Sequence, residues 1–304
     1  MKINYRDIFS KVDVGEVLYD EPMKNHTTFK IGGPCDVLVM PNTIEQILNV
    51  LNLVKENDLA YMIIGNGSNL LVSDEGIRKV IVKLHKNFSK ITLDGNKITS
   101  QAGATLKEIA DFALENKLQG FEFASGIPGD LGGAVTMNAG AYGGEMKDVL
   151  ESVKVIDKDL NVLDIDAKDM NLRYRNSRVQ DEGLIVLEAV INLSEGDYDK
   201  IKEYQDELTF KRESKQPLEY PSAGSTFKRP EGYYAGKLID DCGLRGYRYK
   251  DAMVSEKHCG FVINTGDANC EQVLYVINHV KEVVFEKFGV NLEPEVRIIG
   301  EFKK

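Results

Sequence analysis

A glycine-rich turn after a short apolar run is the first feature of this sequence that could do chemistry. Gly65-Asn66-Gly67-Ser68-Asn69 comes directly after Tyr61-Met62-Ile63-Ile64. Such a turn lets backbone N–H groups approach phosphate oxygens closely. It is not the common dinucleotide fingerprint, because Leu70 stands where the third glycine of GxGxxG would be and another apolar run follows. Phosphate binding and an ordinary tight turn are both open on this evidence.

A second glycine-rich stretch is longer and less like a linker. Eight glycines fall between Gly120 and Gly144, interleaved with small residues and almost no charge. A flexible linker would be hydrophilic, whereas this stretch also contains Phe121, Phe123, Leu131 and other apolar residues. Backbone of this kind can wrap closely around a large flat ligand and donate amides to it. The alternative is a tightly packed, turn-rich core segment.

The charged residues are unevenly distributed. From Lys211 to Lys257 there are ten Lys or Arg and seven Asp or Glu, a net charge of +3. The whole chain has 38 − 48 = −10, so the remainder carries −13. A cationic segment on an acidic protein favours a local anion site, although a solvated basic face would look the same. No metal site is predicted, because His258-Cys259, Cys242 and Cys270 lack paired ligand spacing.

Composition limits the class of protein. With 304 residues, 42% hydrophobic and 28% charged, the chain is globular and long enough for about two domains. Its net negative charge argues against coating nucleic acid or an anionic membrane. The N-terminal sequence has no apolar signal core, and no run approaches the ~18 apolar residues that span a bilayer. The four cysteines form no CxxC pair, which predicts reduced thiols in a cytoplasmic protein.

Helical and strand-like patterns alternate irregularly. Apolar spacing predicts helices over 44–54, 106–114, about 197–214 and about 268–288. Strands are predicted at Val37–Met40, Tyr61–Ile64, Val80–Val82, Val153–Ile156, Leu184–Leu193, Phe261–Ile263 and Val296–Ile299. Without strict β-α-β alternation, this mixture favours an α+β fold. The charged segment 195–215 is the best candidate for a bridge between two domains.

Short motifs recur in order along the chain, at Asn25–Gly33, Gly65–Leu70, Ser125–Tyr142, Tyr174–Ser177, Ala223–Lys228 and Leu292–Val296. Together they resemble the UDP-N-acetylenolpyruvoylglucosamine reductase family, flavoenzymes of bacterial cell-wall precursor synthesis. The resemblance runs from about residue 20 to about residue 302. It implies peptidoglycan synthesis in the cytoplasm, and through it roles in cell wall biogenesis, cell shape and cell division.

The resemblance also implies a fold. We expect an FAD-binding domain of the vanillyl-alcohol-oxidase (PCMH) type over 1–205, in two subdomains split near 65–85. A separate α+β substrate-binding domain would follow over 206–304. Some family members carry an inserted loop with a tyrosine that closes over the substrate. Arg175 and Ser225 are only 225 − 175 = 50 positions apart, with a predicted strand and helix between them. The chain therefore resembles the shorter subtype, and no residue is assigned to that tyrosine's role.

The implied cofactor is FAD, with NADPH as co-substrate. Related oxidases attach flavin through a His or Cys near the glycine-rich segment, and neither occurs between Gly120 and Gly144, so we expect noncovalent FAD. By matching motif, Gly65–Leu70 would hold the pyrophosphate and the second glycine-rich segment would line the rest. The implied FAD-binding residues are Gly65, Asn66, Gly67, Ser68, Asn69, Leu70, Ser125, Gly126, Ile127, Pro128, Gly129, Gly132, Gly133, Asn138, Ala139 and Gly140.

The implied reaction reduces UDP-N-acetylglucosamine enolpyruvate to UDP-N-acetylmuramate. Hydride passes from NADPH to FAD and from flavin N5 to C3 of the substrate, and a proton reaches C2. Ser225 matches the family's proton donor. Arg175 and Glu295 match the other two catalytic positions, and the protonation state of Glu295 stays open. Tyr174, Lys215 and Lys228 are the candidate substrate-binding residues.

Two other classes of function remain as alternatives. One is a flavin oxidase of the same fold, which would pass electrons to oxygen. The other is a nucleotide-sugar binding protein without activity, against which the Arg175, Ser225 and Glu295 set argues. The predicted partners are small molecules, with no nucleic acid and no membrane. The preference for NADPH over NADH and the oligomeric state are open, and a monomer is compatible with the sequence.

Overall fold

The computed structural model describes residues 3–302. Helices and strands are mixed along the chain. The α-helices in this range are α1 Tyr5–Phe9, α2 Ile44–Glu56, α3 Leu106–Glu115, α4 Leu131–Met137, α5 Arg178–Glu182, α6 Tyr198–Lys215, α7 Ala235–Asp241 and α8 Cys270–Phe288. The strands are β1 Glu16–Pro22, β2 Pro34–Met40, β3 Tyr61–Ile64, β4 Leu70–Val72, β5 Ile77–Lys83, β6 Ile91–Asp94, β7 Lys97–Gln101, β8 Leu118–Gln119, β9 Gly140–Ala141, β10 Gly144–Glu145, β11 Leu150–Ile156, β12 Val162–Asp166, β13 Ile185–Asn192, β14 Ser194–Glu195, β15 Arg248–Tyr249, β16 Ala252–Val254, β17 Val262–Asn264 and β18 Arg297–Ile299.

The four helices predicted from apolar spacing are confirmed as α2, α3, α6 and α8. Their starts are fixed by side-chain caps that the sequence makes visible. Thr43 accepts a hydrogen bond from the Gln46 amide, and Thr105 forms a capping box with Glu108. The seven predicted strands are also found, Tyr61–Ile64 with the predicted ends and the other six with shifted ends. Eleven of the eighteen described strands have no predicted counterpart, among them β1, β12 and the β6–β7 hairpin. In the hairpin the apolar alternation is weak, because Leu93 lies on its exposed side.

The chain divides into two compact units. Unit 1 contains the described residues up to Leu18, Val37–Asn66 and Val80–Arg212. Unit 2 contains Tyr19–Asp36, Gly67–Lys79 and the described residues from Glu213 onward. The predicted boundary at 205/206 divides FAD binding, assigned to 1–205, from substrate binding, assigned to 206–304. That division of roles stays a prediction. No helix in the described part of the chain is long and apolar enough to cross a bilayer.

Unit 1 is organised around an antiparallel sheet with the strand order β12-β11-β13-β7-β6. The register pairs Val153 with Ala189 and Ala189 with Ser100, so their buried side chains share one face. Helix α4 packs on β13. Helix α6 is tied to α3 by Gln205, whose buried amide donates to the Ala110 carbonyl at 3.1 Å.

Unit 2 is assembled from three separated stretches of sequence. Its apolar core contains Phe29 and Ile31 from the first stretch, Leu71 from the second, and side chains of α7, β16, β17 and α8 from the third. Strand β4 pairs in parallel with β18, with Leu71 opposite Ile298. Because Asp74 accepts the Cys270 and Glu271 amides at 3.0 and 3.3 Å, the second stretch also caps the start of α8.

Asn264 connects the first stretch of unit 2 to the third. It is 3% exposed, donates to the Phe29 carbonyl, and accepts from the Gly266 and Ala268 amides. Asn264→Ala would leave these buried groups unpaired, and we expect a loss of about 1–3 kcal/mol of unfolding free energy. Urea unfolding followed by circular dichroism measures it. The control is Asn278→Ala on the exposed side of α8, expected within about 0.5 kcal/mol of the parent. Equal unfolding free energies for both variants would show that Asn264 does not link the first and third stretches of unit 2.

Candidate active site

The first residues of the predicted phosphate loop lie against the second glycine-rich segment. Gly65 follows β3, and a Cβ on it would come 2.9 Å from Oδ2 of Asp130. The Asn66 side chain donates to the Pro128 carbonyl at 3.0 Å. Unit 1 therefore brings together two predicted cofactor motifs that lie more than fifty residues apart in sequence.

The following residues of the loop belong to unit 2. Gly67 has φ +67°, and a Cβ there would come 2.2 Å from the His26 carbonyl oxygen. The Thr28 amide donates to the Gly67 carbonyl, and the Asn69 side chain donates to the Glu295 carbonyl at 3.1 Å. The motif around His26 thus supports this loop, and Gly67 is required by a backbone contact inside the protein.

The glycine-rich segment has the features expected of a ligand cradle. Oγ of Ser125 and Oδ1 of Asp130 are buried and have no hydrogen-bond partner among the described residues. Apart from its flanking residues and the backbone of α4, no described atom lies within 4 Å of the position that a Cβ of Gly133 would take. Buried polar atoms usually have partners, so these atoms and the bare backbone fit a bound group with hydrogen-bonding atoms. FAD is such a group.

The end of this segment is held by Asn138, which has φ +42° after α4. Its side chain donates to Oε2 of Glu145 at 2.8 Å and accepts from the Lys147 amide at 3.0 Å. The Lys147 ammonium lowers the pKa of Glu145, and the Arg175 charge lowers it further. The predicted cofactor residue Asn138 therefore bonds a carboxylate, Glu145, whose pKa is lowered by Arg175.

Asp130 was not singled out from the sequence, although it is the most deeply buried carboxylate of the segment. Oδ2 lies 2.8 Å from Nδ1 of His85, and the residue is 2% exposed. Burial raises the pKa of Asp130, while His85, Lys83 and the Asn66 amide oppose that rise. Aspartate before a helix usually caps it, yet Asp130 makes no side-chain bond to α4. Its carboxylate faces Gly65 and His85 instead.

Arg212 is a second residue that the sequence did not single out. A Cβ on Gly126 would come 2.9 Å from Cδ of Arg212, so this side chain lies along the glycine-rich segment. Burial lowers the pKa of the guanidinium, and no carboxylate among residues 3–302 contributes to that pKa. A half-buried cation without a counter-charge is suited to an anionic ligand. The sequence does not distinguish Arg212 as a ligand-binding residue, because it is one of many charged residues in α6.

Most basic residues of 211–257 have a partner on the protein surface, either a carboxylate or an aromatic ring. Lys228 pairs with Glu293 at 3.1 Å. Ion pairs also hold Lys211, Lys237, Arg245, Arg248 and Lys257, and aromatic rings lie under Arg229 and Lys250. Arg212 and the exposed Lys215 have no ion-pair partner in the described chain, whereas Lys228 would have to exchange Glu293 for an anionic ligand.

Arg175 lies in a tight turn of unit 1. Arg173 and Asn176 close the turn with two backbone hydrogen bonds of 3.0 Å. Arg175 has φ +54°, a left-handed conformation that is uncommon outside glycine and some polar residues. Its guanidinium lies 5.2 Å from the ring centroid of exposed Tyr174. The predicted catalytic arginine and the predicted substrate residue Tyr174 are therefore adjacent.

In unit 2, the segment that carries Ser225 is bonded to the segment that carries Glu295 through Thr226, the residue after the serine. Thr226 is 4% exposed; its carbonyl accepts the Glu295 amide at 2.8 Å and its hydroxyl accepts the Val262 amide at 2.9 Å. Ser225 itself is exposed and follows Gly224, which has φ +73°. Lys228 joins the same cluster, because its amide donates to the Glu293 carbonyl. No hydrogen bond among the described residues links Lys215 to this cluster.

Neither metal ligands nor disulfides contribute to the site in the described chain. No group of three His, Cys, Asp or Glu side chains there could hold a metal ion. All four cysteines are free, and burial raises the pKa of Cys35 and Cys270 to about 12. These thiols are protonated and poorly nucleophilic at neutral pH.

Comparison with known proteins defines the class first. An FAD-binding domain model matches residues 35–166, and a model of the UDP-N-acetylenolpyruvoylglucosamine reductase C-terminal domain matches 216–299. With the mixed helices and strands described above, the chain is an α+β flavoprotein with an FAD-binding fold of the vanillyl-alcohol-oxidase type, as the sequence predicted.

The relatives define the family. UDP-N-acetylenolpyruvoylglucosamine reductase of Caldanaerobacter subterraneus subsp. tengcongensis is 53% identical over 94% of this chain and 95% of its own length. The enzyme of that name from Clostridioides difficile is 51% identical over 98% and 97%. The crystal structure of UDP-N-acetylenolpyruvylglucosamine reductase from Thermus caldophilus is 35% identical, with a TM-score of 0.80 over 93% of this chain and 98% of that one. The chain belongs to the UDP-N-acetylenolpyruvoylglucosamine reductase family.

Gly133 allows a test of where the cofactor lies. Gly133 is exposed, and a Cβ added to it would meet no atom within 4 Å from outside its own helix, so Gly133→Val should fold. If FAD covers this backbone, its Kd should rise at least tenfold, about 1.4 kcal/mol. Titration of apoprotein with FAD, followed by flavin fluorescence, measures this. Lys107→Val, on the exposed side of α3, controls for valine in a helix. Wild-type FAD affinity in Gly133→Val would exclude the assigned position.

Proposed function

We propose that this protein reduces UDP-N-acetylglucosamine enolpyruvate to UDP-N-acetylmuramate, with FAD as noncovalent cofactor and NADPH as co-substrate. The observation that carries the proposal is the full-length match to reductases of that name. The place of this reaction is peptidoglycan precursor synthesis, in the cytoplasm. The protein acts on small molecules, and a monomer would suffice for it.

The cofactor-binding role falls to the two glycine-rich segments. Gly65–Leu70 would hold the pyrophosphate through backbone amides, and the segment from Ser125 to Gly140 would line the rest. The unpartnered Ser125 hydroxyl and the open face of Gly133 support this assignment. When bound, the flavin supplies the hydride chemistry, receiving hydride from NADPH and delivering it to C3 of the enolpyruvyl group.

Ser225 would give the proton to C2 of the substrate. A serine hydroxyl is a weak acid, but a C2 carbanion is far more basic than a serine alkoxide once water is excluded. The local structure supports this role, because Gly224 takes a left-handed turn and buried Thr226 fixes the backbone on the other side. The exposed hydroxyl is therefore presented by a rigid segment.

Arg175 and Glu295 would act on the negative charge that develops on the substrate carboxylate and C2. The guanidinium offers a planar set of donors for that charge. Glu295 could donate to it when protonated or pass on a proton, and its backbone is fixed by the bond to Thr226. Tyr174, Lys215 and Lys228 would bind the rest of the nucleotide sugar.

The proposed domain roles follow the same division as the motifs. Residues 1–205 would bind FAD, with two subdomains, and residues 206–304 would bind the substrate. A fragment ending at 205 would keep Tyr19–Asp36 and Gly67–Lys79 without the remainder of their compact unit. The division is therefore better tested by point variants in the full chain than by truncation.

The proposed activity predicts that NADPH oxidation depends on the enolpyruvyl nucleotide sugar. Anaerobic purified protein with FAD should consume one NADPH for each UDP-N-acetylmuramate formed, measured by absorbance and mass spectrometry. Without the sugar, oxidation should stop after the bound flavin is reduced. A second sample is then opened to air: rapid NADPH oxidation there without the sugar, with no product formed, would mean that the protein is a flavin oxidase instead.

Ser225→Ala should separate the two half-reactions. Hydride transfer from NADPH to FAD needs no proton from Ser225 and should change less than about tenfold, whereas flavin reoxidation by substrate should slow by ~10²–10⁴-fold. Stopped-flow absorbance of the flavin measures both steps. The control is Ser222→Ala, three residues earlier, which should change neither. Equal slowing of both steps would indicate a structural role, and unimpaired reoxidation would exclude Ser225 as the donor.

A further inference from the structure

The backbone carrying Arg175 is fixed by a side chain that the proposed mechanism does not use. Gln180 lies on α5, the short helix that follows the turn. Its Nε2 donates to the Arg175 carbonyl at 3.1 Å and to the Thr136 carbonyl at 2.9 Å. One amide thus joins the turn of the arginine to the last turn of α4.

The Thr136 carbonyl accepts hydrogen bonds from two side chains. It lies in the last turn of α4, where helix carbonyls lack a partner within the helix. Besides Gln180, it accepts the Ser177 hydroxyl at 2.8 Å. Ser177 precedes α5 and is fully buried, yet its side chain makes no cap bond to α5. Both side chains are therefore directed away from their own helix and toward α4.

The conformation of Arg175 needs such support. A left-handed backbone at a residue other than glycine costs of order 1 kcal/mol and persists only when its surroundings fix it. The backbone bonds between Arg173 and Asn176 close the turn, and Arg173 anchors it through two bonds to Asp181. Gln180 adds a side-chain bond to the Arg175 carbonyl itself and links it to the segment assigned to FAD.

We propose that Gln180 is a positioning residue for Arg175: its amide fixes the arginine turn to the end of α4, so that the guanidinium is held in one place relative to the cofactor segment. The inference rests on the proposed role of Arg175. A misplacement of about 1 Å at a catalytic group can cost on the order of 10²-fold in rate. Loss of the Gln180 donor should therefore affect the step in which Arg175 acts and leave FAD binding intact.

The test uses two substitutions of opposite hydrogen-bonding character. Gln180→Met keeps the length of the side chain but has no donor, whereas Gln180→Lys supplies donors only. In the holoenzyme we expect Gln180→Met to slow flavin reoxidation by the enolpyruvyl substrate about 10- to 100-fold, with FAD Kd and flavin reduction by NADPH within about threefold of the parent. Gln180→Lys should recover most of the lost rate. Gln119→Met, at an exposed glutamine without a side-chain bond in the described chain, controls for the substitution itself.

Arg175→Met, measured in parallel, separates the positioning role of Gln180 from the catalytic role of Arg175. If Arg175→Met slows reoxidation and Gln180→Met does not, the positioning role is overturned while the proposed function stands. If Arg175→Met has no effect, the catalytic assignment itself fails. A loss of FAD affinity or thermal stability in Gln180→Met that matches its loss of rate would show a general structural role and would also overturn the proposal.

Discussion

The glycine-rich segment has to be fixed in place although eight of its residues between Gly120 and Gly144 are glycines without side chains. Exposed backbone is what a phosphate or a flat ring requires, but buried or strained backbone needs hydrogen-bond partners. In unit 1 these come from elsewhere in the chain: Asn66 bonds the Pro128 carbonyl, and Ser177 with Gln180 bonds the Thr136 carbonyl. The candidate cofactor loop and the arginine turn thus both depend on satisfying the backbone around α4.

Unit 2 solves a similar problem with one buried threonine. Thr226 bonds the backbone at Gly260, Val262 and Glu295, so the segment that exposes Ser225 is fixed on both sides. A weak acid such as a serine hydroxyl gains from being held in position, because the cost of orienting it is already met by the fold. The same arrangement explains why the serine and the glutamate, seventy positions apart in sequence, can belong to one cluster.

The cations of the basic segment 211–257 act through individual contacts and not as one continuous positive surface. Most cations of the basic segment are paired with carboxylates or lie over aromatic rings, and exposed pairs of this kind contribute little to stability. What remains for an anionic ligand is a small number of positions, of which Arg212 is half-buried and beside Gly126. A cation held in this way is weakly screened and so interacts strongly with a bound anion.

Local patterns such as apolar spacing, caps and glycine motifs were enough to predict the long helices, seven of the eighteen described strands and the family. It also indicated Ser225, Arg175 and Glu295 through those motifs. Tertiary structure decided which stretches share a compact unit, as with Phe29 and Leu71 in the core built on α8. It also decided that Asp130 and Ser177, both good helix caps by residue type, bond elsewhere. Local sequence cannot reveal this, because the partner that makes a buried polar group stable lies far away along the chain.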